Sequence, residues 1–185
     1  EQDVLKSATK ESLLQQTNSF IDFCRENKCC NDEISSLDIL RNDLVHNLLN
    51  QPFMPSHNDF ERRNLMMFEE RLFVIDFQDL NIGPIGIDLA SILFEHSYEY
   101  PKTLIDDLLK KHLKDNGLNT SSAELKNMIM HALAHRSMRI VGTFNKYFKE
   151  GKLLNRKPDL YKFLNRIHLA LSFLKKDEAK IVKKL

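Results

Sequence analysis

The chain has 185 residues, 42% hydrophobic and 29% charged, with a formal net charge of +1. This is the balance of one globular domain with a sizeable core, which excludes disordered, collagen-like and low-complexity classes. The near-neutral charge gives no broad basic field for nucleic acid or an anionic membrane, and five glycines with no tryptophan argue against a turn-rich all-β fold or a Gly-rich dinucleotide fold.

Helical spacing of Leu13, Leu14, Phe20, Ile21 and Phe23 predicts a first helix over residues 4–26. The three cysteines, Cys24, Cys29 and Cys30, are odd in number and close together. They read as free thiols of a reducing, cytoplasmic setting, without the fourth ligand that a zinc site needs. Asn31 and Asp32 are placed to cap a second helix running to about Asn50, where Pro52 and Pro55 stop it. Residues 51–64 read as a polar loop, and apolar runs at 65–68 and 72–77 predict a small β-hairpin. Asp88 stands at an N-cap position before Leu89, Ala90, Ile92, Leu93 and Phe94. Pro101 opens the next helix, through about Lys114, which Asn116-Gly117 closes. Thr120-Ser121-Ser122 starts a long helix over 123–149 that Gly151 ends, and Pro158 opens a last helix to near the C-terminus. The expected class is α+β, predominantly α-helical, as a single domain over residues 1–185. No apolar run approaches the ~20 residues that span a bilayer, so no membrane partner is expected.

The chemistry concentrates in His57-Asn58-Asp59-Phe60-Glu61-Arg62-Arg63-Asn64, of the form H-x-D-x-x-x-x-N, followed after the hairpin by Val74-Ile75-Asp76-Phe77. Phosphoryl transfer needs a carboxylate to accept the proton of an attacking hydroxyl. It also needs oxygen ligands for a Mg²⁺ that neutralises phosphate charge. Asp59 lies five residues before Asn64, so a curled loop aims both side chains at one cavity, and a tight hairpin returns Asp76 beside them.

These residues resemble the catalytic core of the protein-kinase-like phosphotransferases, within the aminoglycoside phosphotransferase and choline kinase superfamily. The likeness is greatest to the bacterial branch that phosphorylates N-acetylmuramate and N-acetylglucosamine at the anomeric hydroxyl. It rests on residues 57–64 and 74–79, on Gly83-Pro84 and Asp88-Leu89-Ala90-Ser91, and more loosely on Ala134-His135-Arg136, Val141-Gly142-Thr143-Phe144 and Glu150-Gly151-Lys152. It covers about residues 50–170. The resemblance implies that Asp59 is the catalytic base and that Asn64 and Asp76 are the Mg²⁺ ligands. It implies that His57 is structural, its ring bonded to backbone near Asp76, and that Asp88 anchors the backbone of the catalytic loop. It leaves Arg62, Arg63 and Asp79 as candidates for contact with the phosphate, the metal or the sugar. Two departures stand out. Asn58 follows the motif His where relatives often have Gly or Arg, a position read as facing away from the chemistry. Gln78 follows Phe77, so the Asp-Phe-Gly form of protein kinases is absent, which favours a small-molecule kinase.

On the long helix, His131, His135, Arg136 and Arg139 fall at spacings of 4, 1 and 3. This stripe, with His135 and Arg136 as candidates, reads either as the lining of an acceptor-sugar pocket or as a solvated or salt-bridged face; a zinc site there lacks a third ligand. A complete enzyme of this kind also carries a Gly-rich phosphate loop and a strand lysine, neither of which is present. The expectation is therefore the C-terminal lobe of an ATP- and Mg²⁺-dependent kinase whose N-terminal nucleotide-binding lobe lies upstream and whose substrate is a small molecule. The alternative is a non-catalytic, pseudokinase-like binding or regulatory fragment.

Overall fold

A computed structural model describes residues 5–95, 98–117 and 119–185. Eight helices among these residues carry most of the chain: α1 (Lys10–Gln16), α2 (Asn18–Glu26), α3 (Asn31–Leu49), α4 (Gly86–Leu93), α5 (Lys102–Asn116), α6 (Ser122–Lys149), α7 (Lys157–Phe173) and α8 (Ala179–Val182). Four short strands, β1 (Phe53–Ser56), β2 (Leu65–Phe68), β3 (Arg71–Val74) and β4 (Asn81–Pro84), lie between α3 and α4. The class is the expected one, α+β and predominantly helical.

The core is built around α6, which packs on α2, α3, α4, α5 and α7. All ten residues from Ile129 to Met138 are buried, so this stretch has no solvent face. At the α2 crossing a Cβ on Gly142 would lie 2.7 Å from the backbone nitrogen of Phe20, so only glycine permits this approach. Reciprocal bonds between Ser121 and Glu124 cap α6, and Gly117 closes α5 in the left-handed conformation at φ 59°.

Several boundaries differ from the sequence expectation. The first helix begins at Lys10, capped by Thr9, and breaks at Thr17; residue 4 lies outside the described residues. Buried Arg41 of α3 meets the polar groups at this break, donating to Thr17 Oγ1 at 2.9 Å, Leu14 O at 2.8 Å and Asn18 Oδ1 at 2.5 Å. The cap of α3 is Cys30 rather than Asn31 or Asp32: its backbone N–H donates to Glu33 in a capping box. The last long helix ends at Phe173, and α8 follows as a separate turn.

The hairpin forms, but its second strand is Arg71–Val74 rather than 72–77, with Leu65 opposite Val74 and Phe68 opposite Arg71. Its two turn residues, Glu69 and Glu70, both have positive φ, at 45° and 59°, the handedness that matches strand twist. A second two-stranded sheet was not expected: β1, from the segment read as loop, pairs antiparallel with β4, setting Phe53 against Pro84 and Ser56 against Asn81. Residues Lys6 and Ala8 bond on to Ile82 from the other side. This sheet fixes both ends of the polar segment that follows it. No helix among the described residues is long and apolar enough to cross a membrane.

Candidate active site

The polar segment leaves β1 at Ser56 and is held down at once. Asp88 Oδ2 accepts the backbone N–H of His57 at 2.6 Å, and Oδ1 accepts that of Asn58 at 2.9 Å. Asp88 is therefore no N-cap. Helix α4 begins at Gly86, so Asp88 sits in its first turn and gives its carboxylate to another segment. The side chain of His57 crosses to the hairpin, where Nε2–H donates to Ile75 O at 2.9 Å. The hairpin returns the link, as Ile75 N–H donates to Asn64 O at 3.0 Å. Asp76 follows directly with φ 65°, a backbone state that Asp tolerates better than most residues.

Asn58 also has φ 65°, a conformation suited to Gly and then Asn. The expectation that it faces away from the site is corrected. Its Nδ2 donates to Asp79 O at 2.7 Å, tying the loop to the segment after Asp76, and its own carbonyl accepts from Arg139 at 3.0 Å. One turn along, a 3-10 turn at Arg62–Asn64 brings Asn64 back, and its Nδ2 donates to Asp59 O at 2.8 Å.

Asp59 is half-buried and gripped from both sides. Arg63 Nη2 lies 2.6 Å from Oδ2, and Arg136 Nη2 lies 3.1 Å from Oδ1. Burial pushes the Asp59 carboxyl up, but Arg63 and Arg136, with the hydrogen bonds from Arg63 and Asn64, outweigh it and hold the pKa below the usual carboxylate range. The same two arginines engage buried Glu61, Arg136 at 2.6 Å and Arg63 at 3.1 Å. Two carboxylates and two guanidiniums are thus linked in one set.

A cleft of about 350 Å³ opens beside these groups. His57, Asp59, Asp76 and Asp79 line one part, and Arg139, Thr143, Tyr147 and Arg156 line another. Acidic groups of the loop and of the segment after the hairpin thus share this cleft with basic groups from α6 and from the 3-10 turn before α7.

The structure brings Asp59, Asp76, Asp79 and His57 to this cleft, with Asn64 and Arg63 bonded to Asp59. It does not bring Arg62 there. That guanidinium pairs with buried Glu95 and stacks 4.6 Å from the Tyr98 ring centre. His135 is also corrected: it is 2% exposed, donates from Nε2 to Leu13 O at 2.9 Å, and sits inside the helical core. Arg136 is equally buried and reaches the loop from below, so it does not line a sugar pocket. Sequence reasoning missed Glu61, and of the stripe it named on the long helix Arg139 lines the cleft. Glu61 lies inside the motif, and a carboxylate between two basic neighbours was the available sign. Arg139 lies one helical turn beyond Arg136.

Similarity to known proteins coincides with this segment. The model of the phosphotransferase enzyme family matches residues 13–122. An N-acetylmuramate/N-acetylglucosamine kinase of Neisseria meningitidis serogroup B is 34% identical over 128 residues, 66% of this chain and 38% of that protein. A protein of the same description from Pseudomonas aeruginosa is 32% identical over 71 residues, 38% of this chain and 21% of the relative. Among solved structures, ADP-bound aminoglycoside phosphotransferase APH(2'')-Ib superposes with a TM-score of 0.54 at 21% identity, over 89% of this chain and 53% of that one. The gentamicin complex of APH(2'')-IIa gives 0.56 at 19% identity, over 86% and 51%. The two structures share the fold, and the chain spans about half of each and about two fifths or less of each curated relative. A family match over more than half the chain, centred on the loop and hairpin just described, places the chain in the phosphotransferase enzyme family.

Proposed function

We propose that this chain is the catalytic lobe of an ATP- and Mg²⁺-dependent kinase that phosphorylates a hydroxyl of an amino sugar. The observation that carries the reading is the convergence of Asp59 and Asp76 on one cleft, with Asn64 bonded to Asp59. The relatives named as N-acetylmuramate/N-acetylglucosamine kinases support the substrate class. Because the chain spans only part of those relatives, the nucleotide-covering lobe is assigned to the remainder of the protein.

In this reading Asp59 is ionised at neutral pH, held so by its two arginines, and accepts the proton of the attacking hydroxyl. His57 and Asp88 fix the backbone that carries it. Asn64 spends its Nδ2 on Asp59, which leaves its amide oxygen as the available ligand atom, and Asp76 offers an exposed carboxylate. Among the described residues no cluster of three or more His, Cys, Asp or Glu forms a full cage. One amide oxygen and one carboxylate suit Mg²⁺, which takes one or two protein oxygens and completes its shell with water and phosphate. When bound, Mg²⁺ neutralises charge on the nucleotide phosphates. Asp79 on the rim and Arg139 and Arg156 across the cleft are placed for the acceptor or the phosphates.

The test is Asp59→Asn in the complete protein that contains this chain. Turnover is expected to fall by about 10²–10⁴-fold, with nucleotide affinity retained. Turnover near wild type would remove Asp59 as the base.

A further inference from the structure

We propose that Arg136, backed by Glu61, is the positioning residue of Asp59: it fixes Oδ1 from below and so makes Oδ2 the oxygen that meets the acceptor hydroxyl. The proposal rests on the reading of Asp59 as base and names what holds that base in place.

Three observations carry it. The first is location. Arg136 is 2% exposed, and it projects from the stretch of α6 that is buried on every side. A guanidinium on such an element cannot swing away, whereas Arg63, on the other oxygen, has a side chain that is 55% exposed. An incoming hydroxyl or phosphate can displace Arg63 but not Arg136. The second is sharing. A single nitrogen, Nη2, serves both Asp59 Oδ1 at 3.1 Å and Glu61 Oε1 at 2.6 Å. Glu61 is itself 2% exposed and is shared between Arg136 and Arg63. Asp59 is thereby held on Oδ1 by a buried nitrogen that Glu61 also engages, while its other oxygen meets the exposed Arg63. The third is a second grip from the same helix. Arg139, one turn along the same helix, holds Asn58 O, so α6 holds the loop at the two successive residues Asn58 and Asp59.

A structural ion pair alone would also explain a buried Arg next to a buried Glu, and the two roles separate experimentally. In the complete protein, Arg136→Met and the double variant Glu61→Gln/Arg136→Met are compared with wild type and with Asp59→Asn. Thermal midpoint, kcat, and KM for nucleotide and acceptor are measured. The double variant removes both charges and leaves a neutral core, so it is expected to regain most of any stability that Arg136→Met loses. Its kcat is nonetheless expected to stay about a hundredfold below wild type, the penalty of a misplaced reacting group, with KM for nucleotide unchanged. Recovery of kcat along with the melt, or a loss confined to KM, overturns the positioning role. Full turnover by Asp59→Asn would instead overturn the base reading itself, which keeps the two failures apart.

Discussion

Asp88 and His57 are joined at the start of the loop: Asp88 Oδ2 lies 2.6 Å from the backbone nitrogen of His57, and its other oxygen takes the next amide in the chain. Both amides belong to buried residues. Removing the carboxylate leaves two donors without a partner, at about 1–3 kcal/mol for each unsatisfied group. Asp88→Ala is therefore expected to lower the unfolding free energy by about 3 kcal/mol in urea titration. Asp76 is exposed, and Asp76→Asn keeps a residue suited to φ 65°, so its cost is expected to stay below about 0.5 kcal/mol. Equal midpoints for the two variants would contradict this division.

Acid sensitivity follows from His135. Burial holds its imidazole at about 4, against 6.5 for the free side chain. Between those values the unfolded chain binds a proton that the folded chain refuses, so stability is present above pH 6.5 and falls as pH drops towards 4. The full loss is on the order of 3 kcal/mol. His131, also lowered by burial, adds in the same direction. His135→Gln retains a donor for Leu13 O but does not titrate, so its unfolding free energy should fall less steeply across this window. An identical slope would show that another group governs acid unfolding.

The crossing of α6 over α2 gives a third expectation. Alanine favours a helix interior by about 1 kcal/mol over glycine. At Gly142 the added methyl meets Phe20 N at 2.7 Å and Ser19 backbone and side chain at 2.8 Å, atoms that cannot yield easily. Overpacking of this kind costs about 1–3 kcal/mol. Gly142→Ala should thus lower the melting midpoint, and a rise would mean that the two helices part freely.

The hairpin turn offers the reverse case. Glu69 and Glu70 both occupy positive φ, where Asn and Gly are better suited. Glu69→Asn with Glu70→Gly should slow amide exchange along β2 and β3 by a factor of about 5, equivalent to ~1 kcal/mol of local stability. Unchanged or faster exchange would show that the turn does not limit hairpin opening.

Much of this architecture was legible in the sequence because local rules wrote it. Gly117, the Ser121–Glu124 box and the period of α6 act within a few residues. So does the loop from His57 to Asn64, whose spacing alone placed Asp59 beside Asn64. What was not legible depends on partners far along the chain. The break at Thr17 carries no Pro or Gly, and it is met by Arg41, 24 residues on. Pairing of β1 with β4 joins segments separated by the whole site, and β1 contains a proline. Local pattern read Asp88 as a helix cap because the residues after it are apolar, and only the resemblance gave it the loop backbone; its carboxylate serves His57, 31 residues earlier. The polar stripe of α6 was visible, but a helix buried all round turns part of that stripe into the core. His135 therefore bonds Leu13, and Arg136 bonds Asp59, rather than a substrate.

The central claim is that Asp59 and Asp76 serve phosphoryl transfer to an amino sugar. The most direct measurement follows ³¹P NMR of the complete protein with ATP, Mg²⁺ and N-acetylglucosamine or N-acetylmuramate. The account predicts conversion of the γ-phosphate into a sugar phosphate by wild type, and conversion near background by Asp59→Asn and Asp76→Asn. No sugar phosphate from wild type, or equal conversion by the Asp59 variant, would contradict it.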